Sequence, residues 1–119
     1  MAKVIGIIGS RRRDTGKDFD LIEKAFLNVY EQGDAICSGG CPKGGDKFAI
    51  WLSQKYMTKY IEYKPEWDKY GKGAGFIRNT QIANKSNILI ACVSEDRIGG
   101  TEDTIKKYLA IGKTELILV

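Results

Sequence analysis

The chain has no histidine. That absence removes Ser-His-Asp and Cys-His nucleophile systems, the HExxH metalloprotease motif and histidine-ligated zinc. Any acid–base chemistry falls to Asp, Glu, Lys or Tyr. Cysteine is scarce: Cys37, Cys41 and Cys92 make an odd number with no CxxC spacing, so neither a disulfide framework nor a zinc knuckle is indicated. Cys37 and Cys92 fall in strand-like runs and read as core thiols, which fits a reducing, cytoplasmic setting. No signal peptide opens the sequence and no apolar run approaches membrane-spanning length, so no membrane partner is expected. No motif asks for a metal or a resident cofactor.

What is present suits one domain over residues 1–119, with an ordinary 43 % of hydrophobic residues. The net charge of +4 is mild and reads as a solvated basic surface, with some pull on anions. Lys3 to Ile8 is a β-branched, near-continuous apolar run, the pattern of a strand buried on both faces. Thr15 with Asp18 has the form of a capping box, Phe19, Ile22, Phe26 and Val29 follow at helical spacing, and Gly33 ends that run. Asp34 to Ser38 reads as a strand, the next helix carries Phe48, Trp51, Leu52 and Tyr56 on one side, and Thr58 to Tyr63 reads as a third strand. After a polar, glycine-rich connection, Phe76 to Lys85 is helical, with Ile77, Ile82 and Ala83 inward. Asn87 to Val93 is a buried strand, Thr101 caps a helix carrying Ile105, Tyr108 and Leu109, Gly112 stops it, and Glu115 to Val119 closes the chain as a strand.

Strands alternating with helices define an α/β domain with a mainly parallel five-stranded sheet and helices on both faces. Ligands bind such sheets at the carboxyl ends of the strands. Every one of those exits is glycine-rich or basic: Gly9 to Arg13, Ser38 to Asp46, Trp67 to Gly75 and Arg97 to Thr101. The second, Ser38-Gly39-Gly40-Cys41-Pro42-Lys43-Gly44-Gly45-Asp46, is either a phosphate cradle before a helix N-terminus or a long turn. It has P-loop glycine spacing, but Asp46-Lys47 stands where Lys-Ser/Thr is required, which argues against nucleotide hydrolysis by that machinery. The first exit is not GxGxxG, so a dehydrogenase-type dinucleotide site is not expected. Gly99-Gly100-Thr101 suits phosphate or serves only as a cap. Arg78, beside Asn79, either forks onto an anion or is solvated, and Trp67 and Tyr70 either stack on a base or cover the sheet edge. Arg11-Arg12-Arg13 and scattered lysines raise nucleic-acid binding as an alternative, but acids interleave them and no recognition-helix or RNP pattern occurs.

Four pieces in order, Gly9-Ser10-Arg11, Ser38-Gly39-Gly40-x3-Gly44-x-Asp46, Pro65-x-Trp67-x2-Tyr70-Gly71-Lys72-x-Ala74-Gly75-x2-Arg78-Asn79 and Gly99-Gly100-Thr101-x-Asp103-Thr104, together resemble the SLOG superfamily. Within it the sequence looks most like the small YspA-like branch, a domain of unknown function. The resemblance spans nearly the whole chain. It implies a Rossmann-like three-layer fold with sheet order 3-2-1-4-5 and a site for nucleotides or nucleotide-derived ligands. Relatives include cytokinin-activating phosphoribohydrolases, the DNA-processing protein DprA and sensor domains of prokaryotic conflict systems. Carried over, Ser10, Arg11, Gly39, Gly40, Asp46, Arg78, Asn79, Gly99, Gly100 and Thr101 would line the site, joined on the residue reading by Gly9, Ser38, Gly44, Trp67 and Tyr70.

The phosphoribohydrolases look like Pro-Gly-Gly-x-Gly-Thr-x-x-Glu at the fourth exit. Here Thr104 takes the place of that glutamate, and Glu102 and Asp103 fall one or two positions early, on another helical face. The expectation is therefore a homo-oligomeric binder of an ADP-ribose- or NAD-derived molecule or a nucleoside phosphate, acting as a sensor or by sequestration. Blunting of a host nucleotide signal by a virus is one such use. The enzymatic alternative is N-glycosidic hydrolysis of a nucleoside monophosphate, with Asp46, Glu102 or Asp103 as acid–base group and Arg78 steadying charge.

Overall fold

The structure is a computed structural model that describes residues 2–119. Strand β1 (Val4–Gly9) leads to helix α1 (Gly16–Val29), then β2 (Ala35–Ser38), α2 (Gly45–Lys55) and β3 (Lys59–Glu62). A single turn, α3 (Trp67–Tyr70), and a 3-10 turn over Gly71–Gly73 precede α4 (Ala74–Lys85), β4 (Ile88–Cys92), α5 (Gly100–Ala110) and β5 (Leu116–Leu118). Among the described residues no helix is long and apolar enough to cross a membrane.

The sheet order is β3-β2-β1-β4-β5, and every neighbouring pair is parallel. This is the expected Rossmann-like order 3-2-1-4-5. Alternation along each buried strand splits the core in two. Ile5 and Ile7 of β1, with Ile36, Ile90 and Cys92, pack under Ile22, Phe26, Phe48 and Leu52 of α1 and α2. Ile8, Cys37, Leu89 and Ala91 point the other way, under Ile82, Ala83, Ile105 and Tyr108 of α4 and α5. A run such as Val4 to Ile8 is apolar throughout because both of its faces are covered.

Caps and glycines set the element ends. Thr15 and Asp18 form a reciprocal capping box: Thr15 Oγ1 accepts the Asp18 N–H at 3.2 Å and Asp18 Oδ2 accepts the Thr15 N–H at 3.2 Å. Such a cap contributes about 1 kcal/mol. Helix α1 stops at Val29, short of Gly33, whose φ of 98° places it in the turn before β2. Helix α2 begins at Gly45, so Asp46 belongs to its first turn rather than to the preceding loop. The N-cap of α5 is Gly99, at φ 112°, and Thr101 lies inside the first turn instead of capping it. Ile77, expected inward, is exposed; the inward side of α4 is Ala74, Asn79, Ile82 and Ala83.

Because β1 is central, the chain moves outward through β2 and β3 and then crosses back to β4. The switch point lies between β1 and β4, whose carboxyl ends open side by side, with the Ser10 N–H bonded to Cys92 O at 2.9 Å. On the α2 side, Gly45 lies directly on the backbone of Ile8 and Gly9, closer than any Cβ allows. Gly45→Ala should therefore destabilise the protein by about 3 kcal/mol or more. Gly16→Ala, in open space at the start of α1, should stabilise it by about 0.5 kcal/mol. Urea unfolding of the two variants checks both signs; a neutral Gly45→Ala would contradict the close approach.

Candidate functional site

A cavity of about 450 Å³ opens at the switch point. Gly9, Ser10, Arg11 and Arg12 of the loop after β1 form one wall. Arg78 and Asn79 of α4 and Ile98 to Thr101 at the start of α5 form the other, and Cys41 and Asp46 also line it. A second hollow of about 450 Å³ adjoins it, lined by Trp67, Lys72, Gly75 and Phe76 and sharing Arg78, Asn79, Gly99 and Gly100.

Arg78 is held rigidly. Its Nη1 donates to Gly39 O at 3.0 Å and its Nε to Asn79 Oδ1 at 2.9 Å. Asn79 Nδ2 in turn donates to Asp103 Oδ2 at 3.0 Å, and Lys107 pairs with the same carboxylate at 2.5 Å. The β2 exit, α4 and α5 are thereby joined across the cleft. Helix α5 opens with Gly99 and Gly100, so its first N–H groups and its positive dipole end face a wall with no side-chain cap.

The glycines of the β2 exit have steric reasons. A Cβ on Gly39 would overlap the Arg78 guanidinium, and one on Gly40, at φ 76°, would meet the Glu62 carboxylate. Gly44, at φ 72°, packs on Ser10 O and donates its N–H to Asp14 Oδ1 at 2.8 Å. Of the candidate residues, Gly9, Ser10, Arg11, Asp46, Arg78, Asn79, Gly99, Gly100 and Thr101 meet at the first cavity, and Trp67 joins the second. Ser38, Gly39, Gly40, Gly44 and Tyr70 line neither. Ser38 lies fully buried beneath, against Asp46.

The acidic groups separate cleanly. Glu102 is forked by Arg97 at 2.7 and 2.9 Å and does not line the cavity. Asp103 belongs to Asn79 and Lys107. Asp96 is forked by Arg12 at 2.9 and 2.5 Å, which holds its carboxyl down at about 2 and ties the first exit loop to the fourth. Asp46 is the one carboxyl among the lining residues. It is 8 % exposed; burial pushes its pKa up, against its contact with Ser38, the N–H groups of Cys41 and Gly39 and the charge of Arg78. Sequence reasoning passed over Cys41, Phe76, Ile98 and Thr104. Phe76 at the start of a helix, exposed and next to a glycine-rich turn, was the readable signal. Arg13, by contrast, turns away to Asp18, Val93 O and Val119 O.

Fold and cleft define a doubly wound α/β domain with an arginine-bearing cavity at its switch point. No family model matches the chain, and no curated protein matches it. A solved structure of the molybdenum cofactor binding protein from the phototrophic bacterium Rippkaea orientalis is similar, with a TM-score of 0.76 over 99 % of this chain and 76 % of that one. At 22 % identity the likeness is one of fold.

The three thiols differ in access. Cys37 and Cys92 are fully buried and burial raises both, Cys92 to about 11, whereas Cys41 is half-buried at the cavity. Thiolate is the reactive form. Brief iodoacetamide treatment at neutral pH, read by mass spectrometry, should add one label, at Cys41. Comparable labelling of Cys37 or Cys92 would contradict this core.

Proposed function

We propose that the protein binds a phosphorylated nucleoside, of ADP-ribose- or NAD-derived type, and senses or sequesters it without turning it over. The carrying observation is that the rigidly held Arg78 and the uncapped start of α5 border both hollows, one with further arginines and one with Trp67 and Phe76. Phosphate suits the first, where guanidinium groups and helix N–H groups converge. A base suits the second, where an aromatic face is exposed.

The SLOG resemblance belongs to this reading, because all four of its motif pieces contribute lining residues to the same cavity, the second through Asp46, with Ser38 buried beneath it. The fold neighbour's cofactor is a precedent for a small ligand on this fold. Binding without hydrolysis is favoured because Glu102 and Asp103 are spent on Arg97, Asn79 and Lys107. Self-association is part of the reading, with the exposed Ile98 beside the cavity as an apolar contact; light scattering that returns a monomer mass removes it.

Calorimetry with ADP-ribose tests the main point. Arg78→Ala should weaken binding about 100-fold, the loss of charged hydrogen bonds in a partly buried site. ADP-ribose should be recovered intact after incubation. Free base or ribose phosphate in the mixture would favour the hydrolase. Affinity for a DNA or RNA oligomer that falls steeply with salt, with none for ADP-ribose, would favour nucleic acid.

A further inference from the structure

We infer that Asp46 holds its proton at neutral pH, so that the cleft floor is a neutral acid, and that an anionic ligand binds with Asp46 in that state. The first half stands on the free protein alone; the second rests on the nucleotide reading.

The number of hydrogens available to Ser38, Ile7 and Asp46 sets the state of the acid. Ser38 Oγ lies 2.5 Å from the carbonyl oxygen of Ile7 and 2.7 Å from Asp46 Oδ1, and Ser38 is fully buried. Oxygens this close need a hydrogen between each pair, and a serine hydroxyl has one. A hydrogen shared between two acceptors lengthens both contacts, as for the Tyr108 hydroxyl, 2.9 Å from both Asn87 O and Glu115 O. The Ile7 carbonyl has none to give. The Ser38 hydrogen therefore goes to Ile7 O, and the second hydrogen belongs to Asp46, which donates to Ser38 Oγ. Asp46 Oδ2 accepts the Cys41 N–H at 3.1 Å, and the Gly39 N–H also approaches the carboxyl. As an acid, Asp46 keeps these contacts and gives Ser38 Oγ the hydrogen it lacks. As a carboxylate it would leave Ser38 and Ile7 with lone pairs facing each other away from water, a costly arrangement.

The surroundings agree. From α4, Arg78 spends Nε and Nη1 on Asn79 and Gly39, and among the described residues no cation forms an ion pair with Asp46. From the first loop, Arg12 is committed to Asp96, and Arg11, with no ion pair to Asp46, lines the same cavity. From β2 and β3, Cys37 and Tyr60 are both raised by burial and stay neutral, Tyr60 donating to Glu62 at 3.0 Å. On α2 itself, Lys47 pairs with Asp14. Cys41 adds a thiol at the cavity.

A neutral floor removes the repulsion a second negative charge would exert on a bound phosphate. ADP-ribose is the right probe, because its diester phosphates keep a fixed charge between about pH 5 and about pH 9. Its affinity should fall with rising pH above the Asp46 pKa, approaching about tenfold per pH unit. Asp46→Asn, whose amide can donate to Ser38 and accept from Cys41 as the acid does, should bind with no such dependence.

The proton itself is read without ligand. In the full chain carrying 13C-labelled aspartate, one carboxyl resonance should remain in the protonated position at neutral pH and vanish in Asp46→Asn. All aspartates titrating in the ordinary range, near about 3.9, overturn the inference. Unfolding gives a second readout. A carboxyl raised on folding loses stability as pH climbs from its unfolded to its folded pKa. The unfolding constant of the native chain should thus rise relative to Asp46→Asn by up to about tenfold per pH unit across that window, then level. A flat ratio overturns the inference. ADP-ribose affinity in the native chain that ignores pH overturns the coupling. No binding at any pH overturns the ligand half together with the nucleotide reading, and the carbon spectrum still decides the proton.

Discussion

The close approach of Gly45 to the end of β1 is the constraint on which the rest of the site depends. It seats the first turn of α2 on the central strand with no side chain between them. Asp46, one residue on, is thereby driven under the cleft, against Ser38 of β2, which itself bonds to Ile7 of β1. A larger residue at position 45 would lift α2 and open the cleft floor to water. The polar groups of this strand-to-helix turn are then satisfied by Asp46, Asp14 and Arg78.

On the other side of the cleft the organising element is a chain of hydrogen bonds. Gly39 O, Arg78, Asn79, Asp103 and Lys107 follow one another from the β2 exit to α5. This chain serves two ends. It gives Arg78 one orientation, so its remaining donor atoms are preorganised for an anion. It also consumes Asp103, as Arg97 consumes Glu102, leaving a cleft with arginines in its walls and one buried acid, Asp46, beneath. That is a chemistry suited to holding phosphate rather than to general-base attack.

Much of the fold was legible locally. The Val4 to Ile8 run, the Thr15–Asp18 box and the alternation of strands with helices each depend on residues within a few positions, and all appear as read. The rest lies in long-range packing. Gly39, Gly40 and Gly44 read from the sequence as ligand contacts, and each also has a packing neighbour, Arg78, Glu62 and Ser10, roughly twenty to forty residues away in sequence. Thr101 looked like a cap because its hydroxyl is a good one, but the chain enters α5 at a φ that favours Gly99. Ile77 was drawn inward by helical spacing, whereas Asn79 takes the inner face to reach Asp103. The pairing of Ser38 with Asp46 and Ile7 joins three elements and leaves no local trace.

Three strand exits and α4 converge on one cavity, and amide chemical-shift mapping with ADP-ribose on the 15N-labelled chain tests whether that cavity is the nucleotide site. The largest shifts should fall at Ser10 to Arg12, Cys41, Arg78 with its Nε–H, and Gly99 to Thr101, with smaller ones around Trp67 and Phe76. Shifts confined to α1 and the outer face of α2, or no shifts at millimolar ligand, would contradict it.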